Sequence, residues 1–427
     1  MTSRLALWGA GLACAVAVAA AGVWALNRLD EAPLPAQDAP ASSAPETIAR
    51  GEYLARAGNC ISCHTSPGGA AFAGGRAIDT PFGSIYASNL TPHDATGIGR
   101  WTSSEFWRAL HNGRSRDGRL LYPAFPYPNY TRVTREDSDA IFSYLRSLAP
   151  VEQPSPAHAL RFPYNTQAAL AVWRALFFRP GVLDAQPGQT DEWNRGAYLV
   201  QGLGHCAACH TPRNALGATR EGAAFQGGLM PVQNWYAPAL NSAREAGLAA
   251  WPLEDAVALL KTGVSPRAAV SGPMAEVVFR SLQYLSEEDL RAMATYLRGL
   301  PQAQDAPLPV ARPSQKVMER GEQVYAQHCA QCHGRQGEGS AGAFPALAGN
   351  RAVEMPETVN LVRVLLQGGY LPATQGNPRP HGMPPFMHSL GDEDMAAVLS
   401  YIRAAWGNQG SRVDTIDVHR GRERRGH

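Results

Sequence analysis

The chain has 427 residues, 38 Lys and Arg against 36 Asp and Glu, and a formal net charge of +2, so no excess of either sign marks it for nucleic acid. At this length, with 45% hydrophobic residues, it has material for about three domains with cores of their own. Six of its seven cysteines fall into pairs three positions apart, which leaves only Cys14 over and excludes a disulfide-stapled scaffold.

The first element is an uncharged apolar run at residues 5–26, behind Arg4. About 20 apolar residues suffice to cross a bilayer, while Ala19-Ala20-Ala21 offers the small side chains a signal peptidase needs. Residues 1–29 therefore read as a signal peptide or a membrane anchor, and the length of the run favours retention. Cys14 lies within it, but Gly11 stands where lipidation would want a large aliphatic residue. Residues 30–45, rich in Pro, Ala, Ser and acids, cannot bury a core and read as a linker.

The next feature occurs three times: Cys60-Ile61-Ser62-Cys63-His64, Cys206-Ala207-Ala208-Cys209-His210 and Cys329-Ala330-Gln331-Cys332-His333. Cys-x-x-Cys alone also serves zinc ribbons and thiol redox sites. Three copies, each with His in register, instead read as c-type haem attachment sites, two thiols for the porphyrin and a histidine for the iron. Cys60, Cys63, Cys206, Cys209, Cys329 and Cys332 are the expected covalent haem residues, and His64, His210 and His333 the expected axial ligands. Such attachment takes place outside the bacterial cytoplasm, in agreement with the N-terminal run.

More than the cysteines repeats. Arg50-Gly51, Arg195-Gly196 and Arg320-Gly321 recur ahead of the motifs, on a helix where the missing side chain admits a close neighbour. Middle helices end at Gly113, Gly263 and Gly368. Closing helices begin at acidic starts capped by Thr134 and Ser286, with Gly391 in the third copy, and carry Tyr144, Tyr296 and Tyr401 in one position. The expected fold is all-α, with three tandem cytochrome c domains at 46–150, 191–300 and 314–407. A connector at 151–190 and a linker at 301–313 join them, and a disordered tail at 408–427 follows.

A second axial ligand, commonly Met, is expected between the middle and closing helices. Met274 and Met383 occupy that slot in the second and third repeats, with Met387 as a weaker alternative to Met383. In the first repeat the slot reads Leu121-Tyr122-Pro123-Ala124-Phe125-Pro126-Tyr127-Pro128, and the repeat has no methionine. Three outcomes stay open: a histidine ligand from His93 or His111, a sulfur lent by Met230, or five-coordinate iron.

With these residues in view, the chain resembles the tri-haem cytochrome c subunits of bacterial membrane-bound dehydrogenases. The resemblance runs from residue 48 to 406. It rests on Asn59-Cys60 with His64-Thr65, Thr96-Gly97-Ile98-Gly99-Arg100-Trp101, residues 121–130, and Gly204-His205-Cys206 with His210-Thr211-Pro212-Arg213-Asn214. It implies three covalently bound haem c groups and a catalytic dehydrogenase partner, a quinoprotein, flavoprotein or molybdenum enzyme acting on an alcohol, aldehyde, sugar or sugar acid. Electrons would pass through this chain to membrane ubiquinone or a terminal oxidase at the periplasmic face of the inner membrane. No set of residues reads as acid, base or nucleophile, and no Rossmann fingerprint is present. The competing reading is a haem enzyme with peroxidase-like activity at a five-coordinate first haem.

Overall fold

The computed structural model describes residues 2–38, 40–304 and 310–423, so part of the 301–313 linker and the final basic residues lie outside the described residues. The chain forms two compact units, Met1–Leu54 with Cys63–Asp184, and Ala55–Ser62 with Ala185–His427.

In the first unit, α1 (Thr2–Leu26) contains the span Leu7–Leu26, of mean hydropathy 1.9 and with none of it buried by the rest of the chain. By length and composition it is able to cross a membrane. The first repeat opens with α2 (Pro45–Ala57) and the short α3 (Cys60–Cys63). A hairpin of β1 (Ala77–Thr80) and β2 (Gly83–Tyr86) follows, then α4 (Ser103–Asn112), the single turn α5 (Tyr127–Tyr130) and α6 (Arg135–Ser147). Thr102 and Glu105 form a capping box at the start of α4, and Thr134 accepts from the Asp137 amide at the start of α6. The connector adds β3 (Ala159–Leu160) to the edge of β2, then forms α7 (Gln167–Phe177). Leu170, Arg174 and Ala175 of α7 are buried, with the Arg174 guanidinium 4.7 Å over the Phe178 ring.

The linker at 30–45 buries no core, as its composition dictates, but it does not hang free. Asp30 meets His111 at 3.0 Å, Glu31 meets Arg114 at 2.8 Å, and Asp38 accepts the Ser104 amide at 2.7 Å. Its polar side chains turn a tether into a strap across α4. Behind it, Asn27 donates to Ala171 O and accepts from Arg174, which fixes the end of α1 to α7.

The second unit holds the second and third repeats together. The second comprises α8 (Asp191–Tyr198), running into a π-type turn at Leu199–Leu203, then α9 (Ala207–His210), β4 (Gly228–Met230), β5 (Trp235–Ala237), α10 (Leu253–Thr262), β6 (Val264–Ser265), β7 (Ala268–Ala269), α11 (Pro273–Arg280) and α12 (Glu287–Arg298). The third comprises α13 (Gln315–His328), α14 (Ala330–His333), α15 (Arg351–Glu354), α16 (Val359–Gln367), β8 (Gly369–Tyr370), β9 (Gly382–Met383) and α17 (Asp392–Ala404), followed by α18 (Thr415–Glu423). Asn360 joins the two repeats by a reciprocal pair of bonds with the Tyr236 backbone, at 2.7 and 2.8 Å.

Every repeat is built on one crossing of its first and last helices. A Cβ on Gly51, Gly196 or Gly321 would collide with the carbonyl oxygen of Ala140, Ala292 or Ala397 respectively, so only glycine lets the backbones touch. An ion pair sits beside each crossing: Arg50 with Asp137 at 2.5 Å, Arg195 with Asp289 at 2.8 Å, and Arg320 with Asp394 at 2.7 Å.

The fold is helical as expected, with short hairpins in the gaps between helices that were not expected. In β1–β2, the β-branched and aromatic side chains of Ile78, Thr80, Ile85 and Tyr86 on either side of the Pro81-Phe82 turn suit strands better than a helix. One expectation is corrected, for the tail at 408–427 is not wholly disordered. Val413 and Val418 enter the core of the third repeat, and Arg422 donates to Leu390 O and to the Asp392 carboxylate. Two valines among many charges give too weak a periodic signal to reveal this helix.

Candidate haem sites

The residue before the first cysteine takes a left-handed conformation in two of the motifs, with φ of 51° at Asn59 and 38° at His205. This turns the chain sharply into the one-turn motif helix. In all three motifs the first cysteine is more covered than the second, and Cys63, Cys209 and Cys332 are exposed. Burial pushes the Cys206 thiol up to about 12 and the Cys329 thiol to about 11, which keeps both protonated.

The histidines are oriented by carbonyl groups from the loop that follows. His64 Nδ1 lies 2.7 Å from Ser88 O, His210 Nδ1 2.7 Å from Pro238 O, and His333 Nδ1 3.0 Å from Pro345 O. A carbonyl only accepts, so each Nδ1 carries the proton and each Nε2 is left with its lone pair for a metal. Burial lowers the pKa of all three imidazoles and favours this neutral form. Two thiols and one pre-aimed imidazole in each repeat fit covalent haem c.

The loop beneath each site is held by residues next to the motif. Thr65 Oγ1 accepts from the Phe72 amide and Thr211 Oγ1 from the Phe225 amide, both at 3.1 Å. Arg213 clamps the loop by donating to Ala208 O and Gly217 O, each at 2.6 Å. In the first repeat, Gly97 and Gly99 pack where a side chain would meet backbone oxygens, and Arg146 donates to Ile98 O and Gly99 O. These contacts give the loop sequences a structural purpose.

Comparison with known proteins agrees with this geometry. The cytochrome c family pattern matches residues 48–149 and 318–406. The chain is 39% identical over 384 residues to the cytochrome c subunit of the quinone-type alcohol dehydrogenase of Gluconacetobacter polyoxogenes, covering 85% of this chain and 81% of the relative. It is 38% identical to the gluconate 2-dehydrogenase cytochrome c subunit of Pantoea cypripedii, covering 84% and 86% respectively. The chain belongs to the dehydrogenase cytochrome c subunit family. It is also 42% identical to a nicotinate dehydrogenase subunit of Pseudomonas putida over 83% of its own length, but spans only 30% of that longer protein. Membership of the cytochrome c family implies covalent haem c and electron transfer.

Between the middle and closing helices, this cytochrome c subunit differs among its repeats. Met274 sits in the first turn of α11, behind Gly272, whose φ of 54° and lack of a side chain admit the ring of Trp235. Trp235 belongs to the β4–β5 hairpin that packs beside α9, so the Met274 segment is drawn toward the second motif. Met383 ends β9 and packs, with Met387, on the core that contains Cys329. In the first repeat Phe125 lies in a ring cluster with Tyr127 and Tyr130, at centroid distances of 6.4 and 5.4 Å.

His111 and Met230 were raised as ligand candidates by the sequence, and the structure places them as follows. His111 is buried with Nδ1 2.9 Å from Thr131 O and Nε2 3.0 Å from Asp30 Oδ2, so both nitrogens face oxygen acceptors. It secures the strap. Met230 pairs with Trp235 in the hairpin beside the second motif.

The carbonyl partners of the three proximal histidines were missed by sequence reasoning. Their signal is present: Ser88-Asn89-Leu90, Pro238-Ala239-Leu240 and Pro345-Ala346-Leu347 each place the bonding carbonyl two residues before a leucine.

Proposed function

We propose that the chain is a three-haem electron relay. Cys60 with Cys63, Cys206 with Cys209, and Cys329 with Cys332 each hold one haem c, and His64, His210 and His333 face the irons. Met274 and Met383 are the sixth ligands of the second and third. Haem iron, cycling between ferric and ferrous states, supplies the one-electron chemistry. The chain's own residues hold the porphyrins covalently, fix the imidazoles through Ser88, Pro238 and Pro345, and tune the irons by the choice of distal side chain. Electrons come from a catalytic dehydrogenase acting on an alcohol, aldehyde, sugar, sugar acid or related substrate, and leave to ubiquinone or a terminal oxidase. The α1 span holds the relay at the periplasmic face of the inner membrane.

The observation that carries this reading is the threefold recurrence of one geometry, a cysteine pair with a histidine whose Nδ1 donates to a loop carbonyl. Support for the partner comes from the relatives, which are cytochrome subunits of alcohol and gluconate dehydrogenases. Intact mass of the purified chain tests the haem count. Three haem additions are expected, and replacing Cys206 and Cys209 by Ser removes one; a mass with two or fewer in the unaltered chain rejects the three-haem relay.

A further inference from the structure

The slot opposite the first motif can be placed in register with that of the second by backbone bonds alone. In the first repeat α4 ends at Gly113 with φ of 58°, a bridge pairs Arg114 with Leu120, and the Leu121 amide returns to Gly113 O at 2.8 Å. In the second, α10 ends at Gly263 with φ of 81°, β6 pairs with β7, and the Val270 amide returns to Gly263 O at 2.9 Å. Four residues beyond the returning amide stand Phe125 and Met274 respectively. The two repeats thus carry a phenyl ring and a thioether at the same count from the returning amide.

The first unit has few other donors to offer. Met1 apart, it contains no methionine, and it has no lysine at all. Its histidines besides His64 are His93, His111 and His158. The Thr96 amide donates to His93 Nδ1 at 3.2 Å, and the Tyr86 amide donates to His158 Nδ1 at 3.2 Å. An imidazole that accepts at Nδ1 carries its proton on Nε2, the reverse of the arrangement at His64, His210 and His333, and has no lone pair left for iron. His111 is held at both nitrogens by Thr131 and Asp30. Burial pushes the phenols of Tyr122 and Tyr127 up, the latter to about 12, so neither supplies a phenolate at neutral pH.

We infer that the iron held by His64 has no protein ligand on its distal side and takes a neutral diatomic molecule there, of which carbon monoxide is the simplest probe. This rests on the reading of Cys60, Cys63 and His64 as a haem site. Phe125 forms a ring cluster with Tyr127 and Tyr130, whose carbon faces suit a neutral ligand better than an anion.

The test uses the full-length chain in detergent, with haem content first measured by intact mass. In the ferric protein, electron paramagnetic resonance is expected to show one high-spin haem in three. In the ferrous protein, carbon monoxide is expected to shift the spectrum of one haem in three. Phe125→Met is expected to abolish both signals and to add a thioether–iron charge-transfer band. Three attached haems that are all low-spin and inert to carbon monoxide overturn the inference while leaving the relay reading intact. A mass lacking the first haem overturns both. Should Phe125→Met fail to fold, the unaltered chain still decides the matter.

Discussion

The direction of one hydrogen bond distinguishes the three haem-motif histidines from His93 and His158. At His64, His210 and His333 Nδ1 meets a carbonyl and Nε2 keeps its lone pair, whereas at His93 and His158 Nδ1 accepts from an amide; His111 and His205 also meet carbonyls at Nδ1, so the bond orients an imidazole without by itself making it a ligand. A sequence shows which residues are histidine but not which nitrogen holds the proton, so the proximal set was legible only because cysteines mark it. Distal candidates could be named where Met274 is the one methionine of its slot and Met383 has only Met387 beside it, whereas around Phe125 a histidine, a borrowed Met230 and five-coordinate iron all stayed open. Met383→Ala is expected to lower the potential of the third haem while leaving the haem count at its original value, since loss of the thioether favours ferric iron. Spectroelectrochemical titration checks this. An unchanged titration in Met383→Ala, together with a lowered potential in Met387→Ala, transfers the ligand to Met387.

At the scale of elements, the crossing of first and last helices was foreseeable because Gly51, Gly196 and Gly321 recur ahead of the motifs and the closing helices announce themselves by acidic starts and caps. The short hairpins and α18 were not, since strands of two to four residues and a helix with one fully buried valine leave no periodicity to read. Gly321→Val forces a side chain into the Ala397 carbonyl and is expected to destabilise the third repeat by about 3 kcal/mol. Chemical denaturation followed at the haem band of that repeat reads the loss. Val418→Ala is expected to cost about 2 kcal/mol, through two lost methylene equivalents and a small cavity, although a free tail would show no effect. The same denaturation series distinguishes the two.

At the scale of the whole molecule, α1 exposes Leu7, Trp8, Leu12, Val16 and Val18 along a span that the other described residues do not bury, while its end is tied to α7 through Asn27. Apolar area of this kind is stable in lipid and not in water. Replacing residues 1–29 by a cleavable secretion signal is expected to yield a haem-loaded protein in the soluble periplasmic fraction; recovery in the membrane fraction would show that other surfaces suffice for attachment. The central claim, that the chain relays electrons from a dehydrogenase, is tested most directly by purifying the tagged full-length protein from its native membranes in mild detergent. The bound proteins are identified by mass spectrometry, and the haem spectrum is then followed on adding the partner's substrate. The account predicts a co-purifying dehydrogenase with a quinone, flavin or molybdenum cofactor, whose substrate reduces the haems. A dehydrogenase that turns over its substrate with the haems remaining ferric would contradict it.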